Sequence, residues 1–572
     1  MKVKAQALNS RCLKKRGNKM RAIEIGLRFL VQQGVKYVFG IPAGSINAIY
    51  DALLDIPELK PIVAKHENSS GYMAGAYTRI TGLPSICVAS SGPGATNLVT
   101  PAANAWKQKL PVIFITGSVP STKLGKGGAQ ELYAEPIFAS ITKMSRTIMD
   151  ANQLPDILAE AYCTAISGVP GPVHLAIPID IQMTDIGDRE LPSLPEIQQP
   201  VIDQIAVNKA ANRIKAAGRR GAILLGNGAK AASDSIVPFA QTIGWKVATT
   251  PRGKGAFPED HPLSLGVYGL SANIQASEYL NSNEYDVLLI MGSSLGELAT
   301  SNWEPRLVAG KELIHIDYDQ NELGKCYETL YPVHGEIKLV IAELSAQLAE
   351  KGQEASQIWN AYEEGSAEVA AASETAGDSW NTLSAIRQLS ATAPKNARFF
   401  LDIGEFMTYS IQNLLIESGQ EFDIDINFGG MGSGIGGSLG AQLAEPSRPT
   451  ICVTGDGCFF MHGMEVLTAK EYQLPILFVV INNARLGMVY HGHMLQYKRC
   501  LDDFSQDRVS IAGVARSLGL PYAEVSSLAD LQKNKVQEWL SHGGPFVVEV
   551  IVDGNEIPPM GERVKFLQGA TY

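Results

Sequence analysis

The chain has 572 residues, 45% of them hydrophobic and 19% charged, with a net charge of −10 carried by interspersed acids and bases. That length exceeds one hydrophobic core and suits three domains of ordinary size, the composition excludes a disordered chain, and the dispersed charge leaves no footprint for nucleic acid. No apolar run approaches the ~20 residues that span a bilayer, and seven cysteines without CxxC spacing read as free thiols of a reducing compartment, the cytoplasm.

Residues 1–19 hold seven Lys or Arg and no acid. This basic N-terminal extension reads as a solvated tail, an upstream start or an organelle transit segment. From 20 to 185, apolar runs at 36–41, 61–65, 85–89, 112–116 and 173–177 alternate with helix-period segments. Such alternation marks a parallel sheet covered on both faces. Three polar clusters follow runs here: His66-Glu67-Asn68, Ser90-Ser91-Gly92-Pro93-Gly94-Ala95-Thr96-Asn97, and Gly127-Gly128-Ala129-Gln130-Glu131. The stretch 184–201, with Pro192, Pro195 and Pro200, is expected to be extended.

A second unit, 200–350, repeats the pattern with runs at 222–225, 245–249, 286–291 and 312–316. Its loops Gly226-Asn227-Gly228, Arg252-Gly253-Lys254-Gly255, Gly292-Ser293-Ser294 and Asp317-Tyr318-Asp319 fall after strands, where a nucleotide could sit. Residues 353–378, rich in Ala, Glu and Ser and free of Pro, predict a surface helix that leads into a third unit, 380–560. Its runs lie at 399–403, 450–454, 476–481 and 546–552. The fold class is therefore α/β, three doubly wound parallel-sheet domains in series.

The most telling residues belong to the third unit. One apolar run ends in Gly455-Asp456-Gly457, and the next ends in Asn482-Asn483 after 24 intervening residues, 458 to 481. The first delivers a carboxylate, flanked by bare backbone, to the carboxyl edge of a sheet; the second brings side-chain amides to the same edge. A carboxylate and a neutral amide oxygen make a hard-oxygen half-site for Mg²⁺, completed by a backbone carbonyl, water and substrate phosphates. The metal would then hold a diphosphate, helped by backbone N–H groups at Gly404-Glu405 and Gly457-Cys458.

The pair resembles the fingerprint of the thiamin diphosphate-dependent enzymes, and three further segments follow that family's order: 63–68, 90–97 and Gly429-Gly430-Met431-Gly432. The resemblance covers about residues 20 to 560 and is greatest to the acetolactate synthase and pyruvate oxidase branch. It implies a ThDP-binding fold with a pyrimidine-binding first domain and a diphosphate-binding third one. It also implies metal ligands Asp456, Asn483 and the Arg485 carbonyl, with Asn482 buttressing the turn. Gly404, Glu405, Gly429, Met431, Gly455, Asp456, Gly457, Cys458, Asn483, Leu486, Gly487 and Met488 would bind the cofactor. Glu67 would exchange a proton with the cofactor's pyrimidine from a largely apolar pocket, Met431 would hold the two rings together, and Gln130 would face the substrate.

The implied activity is ThDP- and Mg-dependent decarboxylation of a 2-oxo acid such as pyruvate, followed by carboligation to a second carbonyl compound. A plain decarboxylase or a pyruvate oxidase is the alternative; a catalytically inactive regulatory subunit is a remoter one. The family's sites are built between subunits, which implies a homodimer or a dimer of dimers. Three positions depart from the acetolactate synthase pattern. Ala129 stands for a phenylalanine and Gly492 for a tryptophan, so the acceptor is left open. Ser293 or Ser294 stands where FAD-dependent synthases carry an arginine, which tilts the reading against FAD without closing it. His491 and His493 flank Gly492 and read equally as substrate contacts or as polar surface residues.

Overall fold

The computed structural model describes residues 20–194, 202–348 and 379–560. The extension 1–19, the helix expected at 353–378 and residues 195–201 of the first linker lie outside the described residues. The chain divides into two compact units, Met1–Ile197 and Gln198–Tyr572.

The first unit is built on β1 (Tyr37–Gly40), β2 (Lys60–Val63), β3 (Ser85–Ala89), β4 (Val112–Ser118), β5 (Ser145–Thr147) and β6 (Val173–Pro178). They form one sheet in the order β2-β1-β3-β4-β6-β5, with every neighbouring pair parallel. Its inner strands β3, β4 and β6 are mostly apolar and buried throughout, because helices cover both faces. One face packs Ile86, Val88, Ile113, Ile115 and Leu175 against Phe29, Leu154 and Leu158.

The second unit holds two sheets. One contains β7 (Gly221–Leu225), β8 (Lys246–Thr249), β9 (Ser264–Val267), β10 (Val287–Met291), β11 (Glu312–Asp317) and β12 (Tyr331–His334), in the order β12-β11-β10-β7-β8-β9. The other contains β13 (Arg398–Leu401), β14 (Glu421–Ile424), β15 (Thr450–Gly455), β16 (Ile476–Asn482), β17 (Tyr522–Val525) and β18 (Phe546–Ile551), in the order β14-β13-β15-β16-β18-β17. The last order repeats that of the first unit. The central sheet instead has the strand order of dinucleotide-binding sheets, with β7 and β10 flanking the switch point.

These two sheets are locked together. The Gln412 amide donates to the Ala272 carbonyl at 2.9 Å, and the Ile416 N–H donates to Glu259 Oε2 at 2.8 Å. Lys254, expected in a nucleotide-facing loop, is buried with its Nζ 2.6 Å from both Glu259 oxygens. At the switch point the loops after β7 and β10 are joined, the Gly228 N–H donating to the Gly292 carbonyl at 3.0 Å.

Six helices carry or directly follow candidate site residues: α1 (Glu67–Thr81), α2 (Pro93–Asn97), α3 (Glu405–Asn413), α4 (Ser433–Ala444), α5 (Asp456–His462) and α6 (Gly487–Tyr497). Helix α4 is rich in glycine because it lies directly on β13: a Cβ on Gly434 would sit 2.4 Å from the Asp402 backbone nitrogen. Every described cysteine is a free thiol. Among the described residues no helix is long and apolar enough to cross a membrane.

Candidate active site

In the first unit, the three polar clusters come together at the carboxyl edge of the sheet. Beyond β2, His66 caps α1 by accepting the Asn68 N–H at its Nδ1, 3.1 Å away, and Glu67 is the first helical residue. Its side chain is half-buried rather than enclosed by apolar groups, and Oε2 accepts a hydrogen bond from the Asn97 amide at 2.9 Å. Asn97 ends α2, which the Gly92-Pro93-Gly94 turn starts after β3. A Cβ on Gly94 would lie 2.5 Å from Ser90 Oγ and 3.3 Å from Glu67 Oε1, so the bare backbone lets the loop pass over the carboxylate. Gln130, beyond β4, has an exposed side chain and a left-handed backbone (φ 61°). Its carbonyl accepts from Ser91 Oγ at 2.6 Å, and strain of this kind persists only where neighbours hold it.

In the second unit, a cavity of about 200 Å³ opens at the carboxyl edge of β13, β15 and β16. Gly404, Glu405, Gly429, Met431, Gly455, Asp456, Gly457, Cys458, Asn483, Arg485, Leu486, Gly487 and Met488 all line it. The first turns of α3, α5 and α6 converge on it, each opening at or beside a glycine. Helix starts present unpaired N–H groups and positive dipole ends, so the cavity is a ready cradle for an anion of phosphate size.

Asp456 is 95% buried by its 5% exposure, and its two oxygens each accept a backbone N–H at 2.8 Å, from Gly457 and from Ala484. Burial pushes its pKa up, and the Gly457 and Ala484 N–H groups pull the other way. Asn483 Oδ1 accepts the Arg485 N–H at 3.1 Å. The Arg485 guanidinium turns away to the Gly554 carbonyl at 2.7 Å and lies 4.2 Å over the Tyr490 ring. Asn482 points into the core, donating to Glu549 Oε1 at 2.6 Å and to the Val509 carbonyl at 2.9 Å, the place of a buttress.

Met431 reaches the cavity from the turn before α4, its Cε 3.3 Å from where a Cβ on Gly457 would be. That turn is pinned by Asp402, a residue sequence reasoning missed. Asp402 is fully buried and accepts the Gly432 and Ile403 N–H groups, each at 2.8 Å, and the Thr454 hydroxyl at 3.2 Å. The signal was an acid inside the apolar run 399–403. Cys458 donates to the Ile403 carbonyl at 2.9 Å, and burial pushes its thiol far up, so it is structural rather than nucleophilic.

Glu405 is the other surprise. Burial raises its pKa to about 8; Arg485 opposes the rise, and Glu556 and Asp456 add to it. His491 Nε2 stands 3.5 Å from it in the interior. The histidine pair therefore splits: His491 is buried beside Glu405, whereas His493 is a partly exposed residue bonded to the Arg499 carbonyl at 2.6 Å.

The residues present fit a metal-bound diphosphate. Asp456 and Asn483 keep oxygen lone pairs at the cavity wall, and glycines at 404, 457 and 487 leave the room that side chains would fill. Among the described residues no three His, Cys, Asp or Glu side chains gather as a metal cluster. A site of one carboxylate completed by neutral oxygens and phosphate needs none.

Comparison with known proteins agrees with this architecture. The chain matches the families described as thiamine pyrophosphate enzyme N-terminal TPP binding domain over residues 20–137, central domain over 207–344 and C-terminal TPP binding domain over 402–550. It is 30% identical to the acetolactate synthase isozyme 1 large subunit of Escherichia coli (strain K12), over 94% of this chain and 95% of that one. It is also 30% identical to the probable acetolactate synthase large subunit of Methanocaldococcus jannaschii, over 96% and 95%. Acetolactate synthase 1, chloroplastic, of Nicotiana tabacum is 29% identical over 92% of this chain and 81% of its own. With three sheets matching three domains and likeness running nearly end to end, the chain belongs to the thiamine pyrophosphate enzyme family, among its acetolactate synthase-like members.

Proposed function

We propose that the protein is a Mg²⁺-dependent carboligase that decarboxylates a 2-oxo acid, pyruvate, and joins the remaining two-carbon unit to a second carbonyl compound. One observation carries this reading. All of the residues expected to hold the metal and diphosphate line a single cavity where three helix starts converge. The names of the relatives, acetolactate synthases, support the choice of reaction.

When bound, thiamin diphosphate supplies a carbon acid whose conjugate base cleaves 2-oxo acids. The chain's own residues do the rest. Asp456, Asn483 and the Arg485 carbonyl hold magnesium, and the backbone at Gly404, Gly455, Gly457 and Gly487 holds the phosphates. Glu67, kept in place by Asn97, holds or releases a proton at the pyrimidine ring. Met431 orients the rings from a turn fixed by Asp402. Gln130 contacts the substrate from its strained backbone position. The apolar lining from Ile403, Phe406, Leu486 and Met488 keeps water away from the charge-dispersing loss of CO₂.

The working unit is a homodimer or a dimer of dimers in the cytoplasm. For the central domain the reading tilts against a flavin without closing it, since Ser293 or Ser294 stands where FAD-dependent synthases carry an arginine. Purified protein with thiamin diphosphate, Mg²⁺ and a panel of 2-oxo acids, singly and in pairs, with and without FAD, tests the proposal. Mass-resolved 2-hydroxyketone or 2-hydroxy-3-oxo acid is the expected product. Acetaldehyde alone from pyruvate would overturn the carboligase, and FAD-dependent peroxide would make it an oxidase. For Glu67→Gln, hydrogen–deuterium exchange at C2 of the cofactor should slow by at least about 100-fold, and unchanged exchange would remove Glu67 from the mechanism.

A further inference from the structure

Glu405 stands apart from every other polar side chain of the cavity. Asp456 and Asn483 have hydrogen-bond partners for their oxygens. Both Glu405 oxygens are buried and neither has one, although the residue is only 4% exposed. The His491 ring at 3.5 Å is beyond good hydrogen-bond length and already faces the Gly554 carbonyl at 3.3 Å. The carboxyl faces the cavity's metal side: a Cβ on Gly487 would lie 1.7 Å from its Oε2 and 2.9 Å from the Asn483 side-chain nitrogen. A buried carboxylate without donors is costly, and the dipole of α3 offsets only a fraction of that cost. Arg485 is the cavity's one cationic side chain, and its guanidinium is turned to Gly554 and Tyr490.

We propose that Glu405 is an outer ligand of the divalent cation, accepting hydrogen bonds from metal-bound water. This rests on the reading of Asp456 and Asn483 as direct ligands. Mg²⁺ sheds its water reluctantly and keeps several molecules, which need acceptors. No direct cluster of three ligating side chains forms among the described residues, so Glu405 acts through water.

The test uses the full chain stripped of metal and cofactor, as wild type and as Glu405→Gln, which keeps the shape and loses the charge. Mn²⁺ alone is titrated and the free ion followed by electron paramagnetic resonance, and each protein is melted with and without Mn²⁺. Wild type should bind Mn²⁺ with no diphosphate present, and the variant about 10-fold or more weakly, the usual effect of removing such a partner. Mn²⁺ should raise the wild-type Tm more than that of Glu405→Gln. Equal Mn²⁺ affinities would overturn the proposal, even if thiamin diphosphate binding weakened in the variant, since Glu405 would then touch the phosphate instead. If wild type fails to bind thiamin diphosphate with Mg²⁺ at all, the underlying reading of the cavity fails as well.

Discussion

Gly487→Ala separates cofactor binding from folding. The new methyl group would sit 1.7 Å from Glu405 Oε2, 2.7 Å from its Cδ and 2.9 Å from the Asn483 side-chain nitrogen. Non-bonded heavy atoms settle near about 3.5 Å, so the Glu405 carboxyl has to retreat by roughly 1.8 Å and the Asn483 amide by roughly 0.6 Å. The clash falls on two side-chain ends rather than on backbone. Glu405 can take another rotamer at about 1 kcal/mol, and Ala regains part of the ~1 kcal/mol by which Gly disfavours a helix. Net stability should therefore change by less than about 1 kcal/mol. Asn483, by contrast, is displaced from its proposed metal-ligand position, and disturbing a metal site costs about 10-fold or more in affinity. Calorimetric titration with thiamin diphosphate and Mg²⁺, beside thermal melts, measures both quantities. Affinity within 2-fold of wild type, or collapse of the melt, would refute the placement of Asn483 and Glu405 on one wall.

Gly434→Ala should do the opposite. Its Cβ would meet the Asp402 backbone nitrogen at 2.4 Å and Cα at 2.6 Å, and backbone cannot swing aside. The cost is about 3 kcal/mol, to be read as a lower urea midpoint. His174 should set an acid limit for the first unit. It is fully buried, stacked on Phe138 at 4.0 Å and hydrogen-bonded to Thr116 and Ser145, and burial lowers its pKa from 6.5 to about 3. A lowered folded-state pKa means full stability above pH 6.5 and loss as pH falls toward 3. The loss runs at about 1.4 kcal/mol per pH unit, so His174→Gln should flatten the acid limb of Tm against pH. An unchanged limb would show that other groups carry it.

Much of this protein was legible without coordinates. Thirteen of the eighteen strands among the described residues coincide with apolar runs read from the sequence; all but the edge strand β2 lie inside a parallel sheet, where both faces are covered and the strand is apolar along most of its length. The five that escaped, β5, β9, β12, β14 and β17, are all edge strands. An edge strand is short and solvated on one side, so Ser145-Arg146-Thr147 or Tyr331-Pro332-Val333-His334 looks like loop. The Gly-Asp-Gly and Asn-Asn motifs were equally legible, since a strand that ends in a ligand delivers it to a known sheet edge.

What local pattern could not disclose were relations between distant residues. Asp402 holding Gly432, Asn97 holding Glu67 and Glu405 facing Gly487 are separated by 30, 30 and 82 positions. Glu405 in the sequence is one more acid at the start of a helix, where its charge is at home. Only packing decides that no donor reaches it. Motif, periodicity and composition thus determine which chemistry the chain carries and on which elements. The tertiary structure decides which of those groups are buried, paired or left without a partner, because desolvation depends on every neighbour at once and on none of them in sequence.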